Sequence, residues 1–314
     1  MFIFKHTFLF VCSGLVLFIG LFSTGCQSTS LDSRLKEDES STLTKAGLSE
    51  EERVDYGQYP TDFVRLPYIT LENGIRVNIC EDSLYVFDGD ILLSEKDLEM
   101  LSKQDTADMN LSRSASIITS SSSSYRWPNG VVPYYMTISM PPAYRATAFQ
   151  AMSTISACSA VTFVPAYPLQ DFDDYIAFQY SSSGNNSYVG RQGGGQPINI
   201  HTNHKGIFMH EIMHALGFFH EHSRSDRNSY ISIEWSNIRD EMEYSFYQYT
   251  SGVDIGEFDF ESIMLYSSYI SDPAFVYNPS IPVIRKLDNN TFDAQRDSLS
   301  AGDINGLLNI YGIP

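Results

Sequence analysis

Residues 210–220 read His-Glu-Ile-Met-His-Ala-Leu-Gly-Phe-Phe-His, and the rest of the chain is best interpreted outward from this stretch. On a helix, His210 and His214 lie four residues apart on one face, where two imidazoles can bind one zinc ion. Gly217 allows the chain to leave the helix with a positive φ, so that His220 can become the third ligand. Three neutral nitrogen ligands leave a position open for water, which is typical of a catalytic zinc site.

Glu211 follows the first histidine and is expected beside the metal rather than among its ligands. A carboxylate in that place can take a proton from zinc-bound water and return it to a leaving amine. Apolar residues between the histidines predict a buried helix whose histidine face lines a cleft; the alternative is a helix with surface histidines. A chance match of five fixed residues is rare, which favours the metal site. His201, His204 and His222 are predicted to be surface or hydrogen-bonding histidines rather than ligands.

The longer segment His210–Tyr230, HEIMHALGFFHEHSRSDRNSY, resembles the zinc motif of the astacin family of metalloendopeptidases, within the metzincins. Ser262–Tyr266 (SIMLY) is similar to the family's Met-turn, Trp127–Tyr134 to its first strand, and Ser187–Arg191 to a segment before the metal helix. The resemblance covers about 125–314. It implies an α+β fold with two subdomains: a twisted, mostly parallel N-terminal sheet with the active-site helix, and an irregular C-terminal part.

The resemblance also implies roles for single residues. His210, His214 and His220 bind one Zn2+ per catalytic domain, and Glu211 activates the zinc-bound water that hydrolyses a peptide bond. Tyr266 is a further catalytic residue: it binds zinc in the resting enzyme and then hydrogen-bonds the oxyanion of the tetrahedral intermediate.

Two more residues take roles from the same resemblance. Met264 forms a hydrophobic floor beneath the metal, and Glu221 pairs with the new N-terminus after a propeptide is removed. The simpler interpretations are core packing for Met264 and Tyr266 and a surface carboxylate for Glu221. Leu265 replaces the family's usual histidine, but that position is not a ligand, so activity is still expected. Cys158 is the only cysteine of this region, so the family's two disulfides cannot both form.

Upstream, the segment Phe87–Ile91 (FDGDI) resembles the family's short propeptide motif. The resemblance makes Asp90 the zymogen switch, a carboxylate that binds the zinc and displaces the nucleophilic water. The alternative is an ordinary Asp-Gly turn in a hairpin. Cys80 is a rival ligand because a thiolate also binds zinc; it can equally be a buried free thiol or pair with Cys158.

The N-terminal 26 residues predict an export signal, because Lys5 and His6 precede an apolar run of about 15 residues, short for a membrane span. The run ends in small residues and Cys26, which resembles a lipoprotein processing site with Cys26 lipidated. Ser23 departs from that pattern, and ordinary cleavage nearby or an uncleaved anchor are the alternatives.

The remaining chain divides by composition. Residues 27–53 are polar and predict a flexible tether, 54–124 a propeptide ending in a Ser-rich linker, and 125–314 the catalytic domain. Arg113 in the linker is an accessible site for an activating protease. Within the catalytic part, helices are expected at 142–159, 206–217 and 300–310, strands at 161–164, 176–179 and 198–200, and a loop at 184–196. A short helix capped by Ser94 is expected at 94–101.

Composition excludes several classes of protein. The chain has 314 residues, with 38 acidic and 20 basic side chains and a net charge of −18, which argues against nucleic-acid binding. Hydrophobic residues make up 43%, enough for a sizeable core rather than a disordered chain.

The prediction is an exported zinc metalloendopeptidase made as a zymogen. We expect it to act on proteins or peptides. It should contact the membrane only through an N-terminal lipid. The anchored form would face the periplasm or lie at the cell surface, and the activated form could be secreted. The alternatives are a lipid-anchored surface binding protein with a non-catalytic zinc site, and an exopeptidase on the same scaffold. Substrate preference and oligomeric state cannot be inferred from the sequence.

Overall fold

The computed structural model describes residues 67–71, 73, 75–80, 84–102, 125–167, 171–249 and 253–314. All of them belong to one compact unit that spans residues 53–314. The expected signal and tether, Cys26, and the Ser-rich linker with Arg113 lie outside the described residues. Within the described ranges, no helix has the length and apolar character needed to cross a membrane.

The described residues form one large mixed sheet of nine strands. These strands are β1 Tyr68–Thr70, β2 Arg76–Ile79, β3 Tyr85–Phe87, β4 Ile91–Leu93, β5 Val131–Met136, β6 Thr162–Pro165, β7 Tyr175–Tyr180, β8 Asn186–Tyr188 and β9 Gly195–Ile200. Their spatial order is β1-β2-β3-β4-β8-β9-β7-β5-β6. β9, β7, β5 and β6 run parallel to one another, and β8 is antiparallel to β9. The part after residue 125 is therefore the mostly parallel sheet that was expected.

The segment before the linker extends this sheet. β1 to β4 form an antiparallel meander, and β4 pairs with β8 in parallel, Ile91 opposite Ser187. The hairpin of β3 and β4 thus lies directly against the first edge of the catalytic sheet.

Four α-helices accompany the sheet in the described ranges. They are α1 Glu95–Ser102, α2 Pro142–Cys158, α3 Lys205–Ala215 and α4 Ala301–Tyr311. All four were expected, with ends that differ by at most two residues. The C-terminal half is irregular, as expected: it has short 3₁₀ turns, such as Asp240–Phe246, and a two-stranded antiparallel sheet of β10 Ile231–Ile233 and β11 Ile284–Lys286.

Local sequence explains how the helices begin. Ser94 Oγ accepts a hydrogen bond from the Asp97 amide at 3.2 Å, and Asp97 Oδ2 accepts one from the Ser94 amide at 2.9 Å. Ser300 and Asp303 make the same reciprocal capping pair at the start of α4. Each pair satisfies two amide groups that have no partner within the helix.

The expected loop at 184–196 is wrong in part, because it contains β8 and the first residues of β9. The sequence Asn-Ser-Tyr of β8 has no apolar alternation, so its pattern does not indicate a strand. The strand exists because β4 and β9 flank it: the Ser187 amide donates to the Asp90 carbonyl at 2.9 Å, and Asn199 Nδ2 donates to Asn186 Oδ1 at 2.7 Å. Tertiary pairing here overrides a weak local preference.

Two apolar cores hold these layers together. One packs α2 and α3 against the sheet through buried side chains such as Ile198 and Phe208. The other joins the upstream hairpin to the C-terminal half, where the Phe87 ring stacks on Tyr244 with centroids 4.9 Å apart. The upstream segment is therefore anchored by apolar burial, which is the main stabilising contribution in folding.

Cys80 and Cys158 are both free thiols, Cys80 buried and Cys158 partly so. The disulfide between them that the sequence left open is not formed.

Candidate metal centre

Helix α3 and the turn that follows it bring three histidines to one point. His210 and His214 lie one turn apart, with their Nε2 atoms separated by 3.2 Å. Gly217 has φ +105°, which carries the chain out of the helix and returns His220 to the same place. The ring centroids of His214 and His220 are 4.8 Å apart, and all three side chains are buried.

The other nitrogen of each ring is engaged elsewhere. His210 Nδ1 donates to the Ile263 carbonyl and His214 Nδ1 to the Phe218 carbonyl, each at 2.8 Å. His220 Nδ1 donates to Asp88 Oδ2 at 3.1 Å. Because each Nδ1 donates to a fixed acceptor, a ring that is neutral presents an unprotonated Nε2 to the centre, as metal-binding histidines do.

Asp90 closes the group from the upstream hairpin. Its Oδ2 lies 3.1 Å from His210 Nε2, and its Oδ1 lies 3.1 Å from His220 Nε2 and 3.4 Å from His214 Nε2. The hairpin tip reaches this point through two consecutive residues with positive φ, Asp88 at +48° and Gly89 at +83°. The turn is thus the Asp-Gly hairpin turn that the sequence offered as an alternative, and it also places Asp90 at the histidines.

The donor set fits a metal ion. Ligand atoms of Asp90, His210, His214 and His220 all lie within 4.8 Å of one another, and all four residues are buried. Asp90 Oδ1 and His220 Nε2 lie 3.1 Å apart, and neither makes a hydrogen bond of good geometry among the described residues. Carboxylate oxygens and unprotonated imidazole nitrogens are all hydrogen-bond acceptors, and acceptors that face one another in a buried space need a cation between them. Three imidazoles and a carboxylate match the tetrahedral nitrogen and oxygen ligands of zinc.

Electrostatics agree with this assignment. Burial lowers the pKa of His210 to about 3 and lowers that of His214, so both rings are neutral at pH 7. Burial acts against charge on His220 too, but the Asp90 and Asp88 carboxylates raise its pKa to about 9. A proton on His220 Nε2 and a metal ion are alternative sources of the same positive charge, so metal binding displaces that proton.

Glu211 lies beside the histidines and is 1% exposed. Its Oε2 has no hydrogen-bond partner within the described residues. Burial, followed by repulsion from Asp90, raises its pKa well above the usual value, while the buried guanidinium of Arg296 opposes the shift. A carboxylate with a raised pKa and no partner is suited to receive and return a proton.

The structure also brings in two residues that the sequence analysis did not single out, Asp88 and Tyr249. Asp88 is buried, and its Oδ2 accepts hydrogen bonds from His220 Nδ1 and from the Tyr249 hydroxyl, the second at 2.8 Å. Burial raises the pKa of Asp88 to about 6, so it is ionised at pH 7. Its position beside the Asp90 motif was the only sequence signal for it. The Tyr266 hydroxyl, expected on zinc in the resting enzyme, here donates to the Asp88 carbonyl at 2.9 Å.

The Met-turn is fixed by hydrogen bonds to the C-terminal segment. Asp303 accepts from Ser262 Oγ at 2.7 Å and from the Ile263 amide at 2.9 Å. Arg296 donates to the carbonyl of the buried Leu265 at 3.0 Å. Met264 is buried, and its carbonyl accepts from the Glu221 amide at 2.9 Å. Since the Ile263 carbonyl accepts the hydrogen bond from His210 Nδ1, the C-terminal segment orients the first ligand through the Met-turn backbone.

The end of α3 is held by distant segments. The carbonyls of its last turn accept from the Gly190 amide, from Trp127 Nε1 and from the Tyr311 hydroxyl, at 2.8–2.9 Å. These bonds satisfy carbonyl groups that a helix end otherwise leaves without partners. They also fix the helix that carries two of the three histidines.

Glu221 lies in a pocket next to the third histidine. Its Oε1 accepts from the Asp259 amide at 2.8 Å and is 3.4 Å from Arg224 Nη1. The other acidic lining residues are Asp254, Glu257, Asp259 and Asp303. Burial raises the pKa of Glu221 to about 7. The pocket therefore carries an excess of carboxylates around Arg224, which favours binding of a further cation.

The other histidines of the described ranges lie outside the four-residue group. His222 Nε2 donates to the Ser245 carbonyl at 3.0 Å, and its ring centroid lies 4.2 Å from that of Tyr266. His201 Nδ1 is 3.1 Å from the Ser181 carbonyl. His204 is half-buried at the start of α3.

Comparisons with known proteins agree with this geometry. Residues 119–312 match the family model Astacin, which describes a family of peptidases. The chain is 33% identical over 238 residues to flavastacin of Elizabethkingia meningoseptica, covering 71% of this chain and 50% of that protein. It is 37% identical over 191 residues to zinc metalloproteinase nas-14 of Caenorhabditis elegans, covering 59% of this chain and 37% of the other. The chain thus spans half or less of the length of these relatives.

A solved structure gives the same result. The hatching-enzyme zinc protease HCE-1 of the medaka Oryzias latipes superposes with a TM-score of 0.55 at 31% identity, over 62% of this chain and 97% of that one. The α+β architecture, the histidine cluster and the family match lead to one conclusion: this chain belongs to the astacin family of zinc peptidases.

Proposed function

We propose that the protein is a zinc endopeptidase held in a latent form by its own upstream hairpin. One observation carries the proposal: the Asp90 carboxylate lies 3.1–3.4 Å from the Nε2 atoms of His210, His214 and His220. A carboxylate in that place occupies the position that substrate or water needs. The neighbouring Glu211 then has nothing to deprotonate.

The chemistry follows from the residues around the site. When bound there, zinc acts as a Lewis acid that polarises a carbonyl and lowers the pKa of water. Glu211 takes the proton of the attacking water and returns it to the leaving amine, for which its burial and raised pKa suit it. His210, His214 and His220 keep their Nδ1 protons on fixed acceptors, so their Nε2 atoms stay oriented toward the metal.

Release of the hairpin frees two further elements. The Tyr266 hydroxyl loses the Asp88 carbonyl and becomes available to hydrogen-bond the oxyanion of a tetrahedral intermediate. The edge of β8 loses β4, so an extended substrate can pair with it. An extended peptide that crosses the whole edge favours an endopeptidase over an exopeptidase.

Activation requires a cut in the Ser-rich linker by an activating protease, at or near Arg113. The new N-terminus then enters the acidic pocket and pairs with Glu221. The excess of carboxylates in the pocket supports this step. Met264 contributes buried apolar packing beneath the centre.

Export belongs to the same proposal. The apolar N-terminal run and Cys26 support a lipoprotein signal, with the catalytic domain released from the membrane by the activating cut. Mass spectrometry of the native protein tests this step, because it reports the N-terminus and any lipid. A mature enzyme that still carries lipid after activation contradicts it.

The central experiment compares Glu211→Gln with the wild type in the processed protein. We expect hydrolysis of a quenched peptide to fall by at least about 1,000-fold while one zinc per chain is retained, because the glutamate acts on the water and not on the metal. A substituted protein that cleaves at the wild-type rate refutes the mechanism. A wild type that binds zinc but cleaves nothing supports a non-catalytic zinc site instead.

A further inference from the structure

We propose that the catalytic domain has a second carboxylate-binding site beside the metal, formed by His220 Nδ1 and the Tyr249 hydroxyl, and that Asp88 occupies it as a second anchor of latency. This inference rests on the proposed latent form and deepens it. In this view the upstream hairpin blocks the centre with two carboxylates of different function.

Asp88 makes two hydrogen bonds through a single carboxylate oxygen. One oxygen, Oδ2, accepts from His220 Nδ1 at 3.1 Å and from Tyr249 at 2.8 Å. Asp88 is 1% exposed, so its charge is removed from water and depends on these donors. Hydrogen bonds to a charged group are stronger than those between neutral groups.

One of the two donors to Asp88 belongs to a metal ligand. His220 is the third metal ligand, and ligand histidines commonly donate their other ring nitrogen to a carboxylate or carbonyl. His210 and His214 donate to main-chain carbonyls of the catalytic domain itself. Only His220, among the three, takes its acceptor from the removable hairpin. Loss of the hairpin therefore removes the Nδ1 acceptor of this ligand and leaves the Nδ1 acceptors of the other two in place.

The backbone at the tip of the β3–β4 hairpin is shaped for these contacts. Asp88 has φ +48°, a conformation that costs most non-glycine residues free energy but that Asp and Asn tolerate. In this conformation the side chain reaches His220 while the main-chain carbonyl accepts the Tyr266 hydroxyl. One residue thus engages a metal ligand and two tyrosines.

The test uses the full-length, unprocessed chain. Asp88→Asn removes the charge and keeps the turn, since Asn also accepts positive φ. Tyr249→Phe removes one donor. Tyr244→Phe is the matched control, because Tyr244 belongs to a nearby 3₁₀ segment and its ring, which stacks on Phe87, is kept. If Asp88→Asn does not fold, Asp88→Gly takes its place, because glycine adopts positive φ freely.

The first measurement needs no activity. Competition with a zinc chelator, in a Glu211→Gln background, gives the zinc affinity of each precursor. We expect Asp88→Asn to weaken it by about 10- to 100-fold, the range found when a group that orients a metal ligand is lost. Tyr249→Phe should weaken the zinc affinity less than Asp88→Asn does. When both substitutions are combined, the fold-loss of zinc affinity should be smaller than the product of the two single fold-losses, because Asp88 and Tyr249 share one contact. Tyr244→Phe should leave the affinity unchanged.

The second measurement is residual peptide hydrolysis by precursors that intact mass shows to be uncut. We expect Asp88→Asn to raise it about tenfold or more over the Tyr244→Phe control. If Asp90→Ala raises hydrolysis while Asp88→Asn matches the control in both assays, the second anchor is refuted and the proposed function stands. If the processed wild type hydrolyses nothing, the proposed function fails, and the zinc competition alone decides the carboxylate site.

Discussion

Replacing Glu221 with Gln should stabilise the unprocessed protein in a strongly pH-dependent way. Burial, with help from Asp303 and Asp259, raises the pKa of Glu221 to about 7 from an ordinary 4.5, although Arg224 opposes the shift. Between these pH values the folded chain binds a proton that the unfolded chain has lost, so the free energy of unfolding falls by about 1.4 kcal/mol per pH unit. Burial of the ionised Glu221 therefore lowers the free energy of unfolding by about 3 kcal/mol above pH 7. Below pH 4.5 the side chain is protonated in both states, and this loss is absent.

The assay is urea unfolding of the full-length chain at about pH 4 and about pH 8, in a Glu211→Gln background that prevents self-cleavage. Glu221→Gln should match its parent at the lower pH and exceed it by about 3 kcal/mol at the higher one. Glu261→Gln, at an exposed carboxylate, serves as the control and should show no such difference. After processing, the advantage of Gln should disappear, because an ammonium group in the pocket favours the charged glutamate. An advantage that persists unchanged in the processed protein refutes docking of the new N-terminus at Glu221.

Three further outcomes test the scaffold. Gly206→Ala should destabilise the protein by about 3 kcal/mol in urea unfolding, because its Cβ would overlap the Arg296 carbonyl oxygen; wild-type stability contradicts this contact. Asp303→Ala should lower the free energy of unfolding by about 3 kcal/mol. It should also weaken zinc binding in chelator competition, because it frees the Ile263 segment that orients His210. An unchanged zinc affinity would mean that Asp303 only caps α4. Phe87→Ala, at a fully buried ring, should raise hydrolysis by the uncut precursor, and a precursor that stays fully latent contradicts hairpin anchoring by apolar burial.

The sequence predicted the parts of the site that depend on local geometry. The spacing of His210 and His214 requires only a helix, and Gly217 requires only a turn with positive φ, so both follow from the chain itself. The helices were placed closely for the same reason, since their caps and periodicity are local signals. The resemblance to a known family added the residues that the motifs mark, including Asp90.

The distant supports of the site could not be predicted in this way. Trp127 and Tyr311 reach the end of α3 from segments 88 and 95 residues away in sequence. β8 has no apolar alternation and is a strand only because β4 and β9 flank it. Asp88 looked like part of an Asp-Gly turn, and its contacts with His220 and Tyr249 depend on how the hairpin docks. Such contacts are properties of the folded whole and leave no pattern in any short window.

In the proposed latent form, the position of the hairpin also explains how a short acidic tip could block a metal centre in water. A carboxylate on a flexible tether competes poorly with solvent and substrate, because binding must offset the entropy of ordering the tether. Here Phe87, Ile91, Leu92 and Leu93 are each at most 2% exposed, so apolar burial orders the hairpin independently of the contacts between its acids and the histidines. In the proposed latent form, latency is therefore shared between an apolar base that fixes the hairpin and acidic residues that occupy the site. Loss of either part should weaken latency, and full activation should require removal of the whole hairpin.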